Sequence, residues 1–351
     1  MRKRILGLFL ASLLLFPAAA CGGGGEPSAS VPGESGSSDS LQSSVSSDSE
    51  EIVETQLIAD RTFQHGFNVK SQTDGIATPI GQLRLDENDT AAPLWNIGQW
   101  YCGYYHKDDQ ELYDSYNIMN ATHTVNGTKH TFIDASKKLS VDTETGAIGM
   151  RLLGTEEYTS NRKENEPWPH ILLEYSMTEN CALSELKSVR FEMDFMLTKL
   201  SDGYSSPSEI DKNLHSAQFV FYCTLRNNNA QSEDYGSYIW FGLNLFDARY
   251  EIVPAYASQD SGKEINTGAY IYQPISSVYC ETPTRLGEEQ HINFDMLPRM
   301  KDAFKSAQDA RFLVNTKWED LELCSGNFGF EVTGIYDIAA EITTLNLYAG
   351  L

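Results

Sequence analysis

Apolar residues recur at every second position through Val189–Leu197, where Val189, Phe191, Met193, Phe195 and Leu197 alternate with Arg190, Glu192 and Asp194. Successive strand side chains point to opposite faces, so this period fits a half-buried antiparallel strand and not a helix. Ala217–Leu225 and Tyr238–Phe246 keep the period but carry apolar or aromatic residues on both faces, which suits inner strands covered on two sides. Further strand candidates are Thr62–Lys70, Leu94–Tyr105, Thr128–Asp134, Ala147–Leu153, Trp168–Tyr175, His291–Leu297, Phe328–Val332 and Thr343–Tyr348. Loops rich in Gly, Ser, Asn and Asp separate them, as around Ser201–Ser208 and Asn227–Gly236.

One helix stands out. Pro298 suits a first turn, and Met300, Phe304, Ala307 and Arg311 recur at helical spacing through Lys301–Ala310. Its apolar stripe is narrow, so it should cap one end or edge of a sheet. The chain has no strand-helix alternation, no convincing G-x-G-x-x-G or G-x-x-x-x-G-K-S/T motif, and no internal repeat of 20 to 50 residues. About a dozen strands with one inserted short helix predict an all-β fold, an antiparallel β-sandwich of jelly-roll type. Two successive sandwiches divided near residue 165 are the alternative, with the charged stretch Glu156–Glu166 as linker instead of long loop. One decorated sandwich over 52–351 is favoured, because Trp95–Tyr105 is too apolar to end a small separate domain.

The N-terminus has a different character. Arg2–Arg4 are basic, Ile5–Phe16 is an apolar run of twelve residues, and Ala18–Ala20 are small residues ending at Cys21. Residues 1–20 read as a secretory signal; their apolar run rises only about 18 Å as a helix, against about 30 Å of bilayer hydrocarbon. The stretch resembles the bacterial lipoprotein signal, which implies that Cys21 is lipidated and becomes the mature N-terminus. Residues 21–51, rich in Ser, Gly, Asp and Glu, then read as a disordered linker. As a flexible coil it spans about 30 Å, and fully extended about 100 Å. The expected location is the extracytoplasmic face of a bacterial membrane, with the membrane touched only through the lipid anchor.

Composition narrows the partners. Asp and Glu number 49 against 26 Lys and Arg, a net charge of −23, so no basic stripe exists to bind a nucleic-acid backbone. Beyond Cys21 the chain has Cys102, Cys181, Cys223, Cys280 and Cys324, none in a C-x-x-C motif, and an odd number leaves at least one unpaired. Cys223 alternates with Phe219, Phe221 and Leu225 and reads as a small buried hydrophobe. Seven His show no H-x-x-x-H spacing and there is no D-x-D-x-D-G loop, so no cofactor is expected, although a structural Ca²⁺ held by loop carboxylates would suit the acidic body. The expected state is a monomer. The sequons at Asn88, Asn120 and Asn126 would matter only on a eukaryotic secretory route.

The runs Trp168–Glu174 and Trp240–Arg249 and the ending Gly326–Leu347 together resemble bacterial jelly-roll domains of the concanavalin A-like or galactose-binding-like type, over roughly residues 92–351. That resemblance implies binding or cleavage of carbohydrate at a cell surface. Sugars offer flat apolar faces ringed by hydroxyls, so a cleft for them needs an aromatic platform flanked by amides, carboxylates or arginine. In Trp95–His106, alternation places Trp95, Gln99, Tyr101 and Tyr105 on one side and Asn96, Trp100, Tyr104 and His106 on the other; either side serves as a platform, or one is core and the other an aromatic ladder under a loop. In Tyr238–Arg249, Tyr238, Trp240 and Asn244 share a face and Asp247 and Arg249 stand where the strand ends, forming either a cleft edge or a turn-stabilising ion pair. Trp168, His170 and Glu174 share another face, with His170 either a base or a structural histidine. The candidate ligand residues are therefore Trp100, Trp168, His170, Trp240, Asn244, Asp247 and Arg249.

Glycoside hydrolysis needs two carboxylates about 5 to 9.5 Å apart. Glu192-Met-Asp194-Phe-Met-Leu197 resembles the E-x-D-x-x-E strand of sandwich-fold endoglucanases, but Leu197 stands where the acid/base would be, so these acids read as a charged solvent face. A lyase would use a Tyr or His base and a charge-neutralising Arg or amide, roles open to Tyr238, His170, Arg249 and Asn244. The leading expectation is a non-catalytic surface lipoprotein that binds polysaccharide. The alternatives are a surface lyase or glycoside hydrolase, and a structural or adhesion lipoprotein without a sugar site.

Overall fold

A computed structural model describes residues 52–73, 78–260 and 267–351. The signal segment, Cys21 and the linker lie outside the described residues. Two sheets form the body. The eight-stranded sheet runs Glu289–Asp295, Ser188–Asp202, Tyr336–Gly350, Ile148–Leu153, Lys137–Asp142, Lys129–Ile133 and Thr122–Asn126, with Glu54–Gln56 beside the end of Tyr336–Gly350. The ten-stranded sheet runs Tyr256–Gln259, Tyr270–Gln273, Tyr238–Asp247, Ala217–Asn227, Leu321–Val332, His170–Tyr175, Trp95–Gly98, Phe67–Val69 and Gly81–Leu83, with Cys181–Ala182 beside Leu321–Val332. Pairing is antiparallel except between Tyr238–Asp247 and Tyr270–Gln273 and between Phe67–Val69 and Trp95–Gly98.

The alternating residues fill the space between the sheets. Phe191 and Phe195 from one sheet meet Phe221 and Phe219 from the other, with ring centroids 4.2 and 5.2 Å apart. Val189, Phe191, Met193, Phe195 and Leu197 are all buried, and the same apolar cluster extends from Leu57 to Ala349. On the opposite side of that strand, Glu192 accepts from Asn346 at 3.0 Å and Asp194 meets His291 at 2.8 Å. The β-sandwich expected from the alternation is thus the observed fold.

Several boundaries differ from the expected ones. The Leu94–Tyr105 candidate ends as a strand at Gly98, because Tyr101 and Gly103 take φ values of +58° and +73° and turn the chain. Only Phe67–Val69 of Thr62–Lys70 is strand. The helix covers Leu297–Asp309, starting earlier than its periodicity suggests, and buries Leu297, Met300, Ala303 and Ala307. Arg311, at φ +65°, lies beyond its end. The helix packs on Tyr238–Asp247 and Tyr270–Gln273, and Tyr270 and Ser306 join their hydroxyls at 2.9 Å. Among the described residues no helix is long and apolar enough to cross a membrane.

Candidate functional site

The strand Ala217–Asn227 separates two environments. Phe219, Phe221, Cys223 and Leu225 are fully buried toward the core, so Gln218, Val220, Tyr222 and Thr224 point to the outer face of the ten-stranded sheet. Register carries that face across its neighbours. His170 lies opposite Glu331, Glu331 opposite Gln218, and Gln218 opposite Asp247. In the next row Leu172, Gly329, Val220 and Asn244 follow one another, and in the third Asn96, Glu174, Asn327, Tyr222 and Gly242. Trp240 stands one row further on, opposite Thr224.

All seven candidate ligand residues belong to this side of the sheet or its rim, in two groups. Trp168, His170 and Trp100 form the first. The Trp168 and His170 rings stack at 5.7 Å, Trp100 meets His170 edge-on at 5.9 Å, and Arg162 lies 4.6 Å over Trp168. Trp168 Nε1 donates to Glu331 at 3.1 Å, and His170 Nε2 lies 3.3 Å from the same carboxylate. Lys70 is 2.5 Å from Glu174 and 5.9 Å from the Trp100 ring. The second group is Trp240, Asn244, Asp247 and Arg249. Trp240 packs 5.8 Å from Tyr222 and 5.5 Å from Tyr238, and Gln273 donates to the Tyr222 hydroxyl at 2.6 Å. At about 4.8 Å per strand, His170 and Asp247 are about 14 Å apart, so the groups share a face without sharing a single pocket.

Asp247 and Arg249 do form the ion pair that the sequence left open, with bonds of 2.6 and 2.9 Å. Ser216 and Gln218 donate to the same carboxylate at 2.7 Å each. Burial works against the charge, but these donors outweigh it and hold the Asp247 carboxyl below the usual range. Arg249 is correspondingly committed. Three buried atoms on this face, His170 Nδ1, Asn244 Oδ1 and Asn327 Oδ1, have no protein hydrogen-bond partner. Such atoms are uncommon in folded proteins and mark places where water or a ligand hydroxyl completes the bonding.

Sequence reasoning missed Glu331, Asn327, Gln218 and Gln273 as members of this face. The signal was present only as alternation inside strands dominated by Phe and Gly, namely Gln218-x-Val220-x-Tyr222 and Asn327-x-Gly329-x-Glu331. Among the described residues no three His, Cys, Asp or Glu side chains gather as a metal site. The five described cysteines are all free; burial raises the Cys280 and Cys324 thiols to about 12 and 11, far from nucleophilic values.

No family model matches the chain, and no curated protein does. Solved structures do match. A cellulase derived from the Cel12A cellulase of Rhodothermus marinus is 14% identical, covering 65% of this chain and 96% of its own, with a TM-score of 0.36. A family 12 xyloglucanase from Bacillus licheniformis is 13% identical, covering 66% of this chain and 97% of its own, with a TM-score of 0.39. The family 11 xylanase from Neocallimastix patriciarum is 10% identical, covering 65% of this chain and 99% of its own, with a TM-score of 0.30.

Proposed function

We propose that the outer face of the ten-stranded sheet binds a neutral polysaccharide laid across the strands, and that residues 1–51 hold this body at the extracytoplasmic membrane surface through a lipid on Cys21. The observation that carries the reading is the placement of three half-buried aromatic side chains, Trp168 stacked on the buried His170 and Trp240 packed on Tyr222, around a polar band of Glu331, Gln218 and Asn327. Aromatic faces stack on sugar rings while amides and carboxylates take their hydroxyls. The partnerless atoms of His170, Asn244 and Asn327 lie in the same band. A neutral chain is favoured over a uronate because Lys70 and Arg249 are already paired, with Glu174 and Asp247. The same pairing argues against the lyase alternative, whose Arg249 would have to neutralise substrate charge.

Hydrolysis is the second reading. Glu331 and Asp247 share a row on either side of Gln218, with backbones about 10 Å apart. Paired carboxylates act at separations of about 5 to 9.5 Å. Asp247 is only 1% exposed and bonded to three side chains, so the face is better built to hold a chain than to cut it.

The test is affinity electrophoresis and a glycan array with the purified protein, using β-glucan, xyloglucan, xylan and pectate. Retention by a neutral polymer, weakened about 30-fold by Trp168→Ala or Trp240→Ala, is expected, corresponding to about 2 kcal/mol. Failure to retain any polymer sinks the sugar reading. Release of reducing ends that Glu331→Gln abolishes would replace the binder with the hydrolase.

A further inference from the structure

At the free edge of the eight-stranded sheet, Thr122–Asn126 and Lys129–Ile133 form a hairpin closed by Gly127, at φ +62°, and Thr128. His123 lies opposite Phe132 and His130 opposite Val125, so the two histidines are diagonal neighbours on one face. The His123 ring stacks on Phe132 at 4.3 Å and 11°, which fixes its orientation. Its Nε2 then lies 3.2 Å from His130 Nδ1. All five residues of the outer strand are exposed, so this nitrogen pair opens to solvent.

Two facing ring nitrogens have two ways to be satisfied. Either one carries a proton and donates to the other, or both lone pairs converge on one cation. Zinc-nitrogen bonds of about 2.0–2.1 Å across the 3.2 Å gap give an angle at the metal of about 100°, close to the tetrahedral value. We propose that His123 and His130 form a bidentate site for a divalent transition-metal ion of the copper or zinc type, with solvent filling the remaining positions.

Two further observations agree. The net charge of −23 favours a cation over an anion anywhere on the surface. The other five histidines are engaged elsewhere: His65 with Asp89, His170 with Glu331, His291 with Asp194, His106 with the Glu156 carbonyl and His215 with the Arg162 carbonyl. Among the described residues no third His, Cys, Asp or Glu completes the pair, so the site is an open chelate and not a closed structural centre. Imidazole donors rank Cu²⁺ above Zn²⁺ and leave Ca²⁺ and Mg²⁺ unbound.

The test is calorimetric titration of the full chain with Cu²⁺ and Zn²⁺, alongside histidine ring NMR signals. One ion per chain, tighter for Cu²⁺, with changes confined to His123 and His130, is expected. His123→Gln and His130→Gln should each weaken binding about 10²-fold by removing the chelate, whereas His291→Gln leaves it unchanged. Both hairpin variants change exposed or half-exposed side chains, and retention of the near-ultraviolet circular dichroism signal checks that they fold. Absence of binding, or binding that survives both hairpin substitutions, overturns the proposal.

Discussion

The ammonium of Lys137 lies 2.9 Å from the carboxylate of Asp134, with both side chains at most 1% exposed. Lys137 also donates to the Tyr116 carbonyl at 2.5 Å, while the buried Glu157 accepts from the Gly103 amide at 2.6 Å and from Ser136. The segment between Trp100 and Tyr116 is therefore tied by its backbone to a buried cluster of one cation and two carboxylates. Burial alone would lower the Lys137 ammonium, but Asp134 outweighs it and holds the group above the usual lysine range.

Replacing Lys137 by Met should cost about 3–5 kcal/mol, because it leaves Asp134 and Glu157 buried without their cation. Urea unfolding measures the loss. A double variant, Lys137→Met with Asp134→Leu, should recover part of it, since a buried pair exchanged for apolar groups costs far less than a buried charge left alone.

Asp247 sets a pH dependence of definite sign. Its folded carboxyl titrates below the unfolded value of about 3.9, so its contribution is fully present above that pH and is lost as the pH falls through the folded value. Asp247→Asn should destabilise the protein by about 1–3 kcal/mol at pH 7, while the gap from the native protein narrows below about pH 4. Thermal unfolding between pH 2 and 7 reports it. A gap that stays constant across this range would remove Asp247 from the acid response.

Much of the fold was legible in period-two alternation, because a strand's two faces are a local property. Phe191 and Phe221 could be assigned to the core from their own segments alone. The end of the strand at Gly98 could not, since it depends on Tyr101 adopting a positive φ that few side chains take. Lys137 illustrates another limit: Lys137–Asp142 is absent from the strand candidates, yet alternation with Leu139 and Val141 turns Lys137 inward toward a carboxylate three residues earlier. The candidate face was half legible. Trp168 with His170, and Tyr238 with Trp240, show themselves within one short segment each. The contacts of Glu331 with His170 and of Gln273 with Tyr222 follow from register between distant segments, which no local pattern encodes.

Gly329 makes the last prediction, because it occupies the middle of the proposed glycan face between Leu172 and Val220. Its φ is +145°, and an added Cβ would stand 2.1 Å from the Ile171 carbonyl oxygen and 3.0 Å from the Leu172 Cα. Both obstacles belong to the neighbouring strand's backbone, which cannot swing aside as a flexible side chain would. Gly329→Ala should therefore destabilise the protein by about 3 kcal/mol or more, combining backbone strain with displacement of His170–Tyr175. Since that strand carries His170 and Glu174, any folded fraction should bind polysaccharide more weakly than its stability loss alone explains. Denaturant midpoints and glycan affinity measured on the same samples separate the two effects, and an unchanged midpoint would show that the sheet yields there.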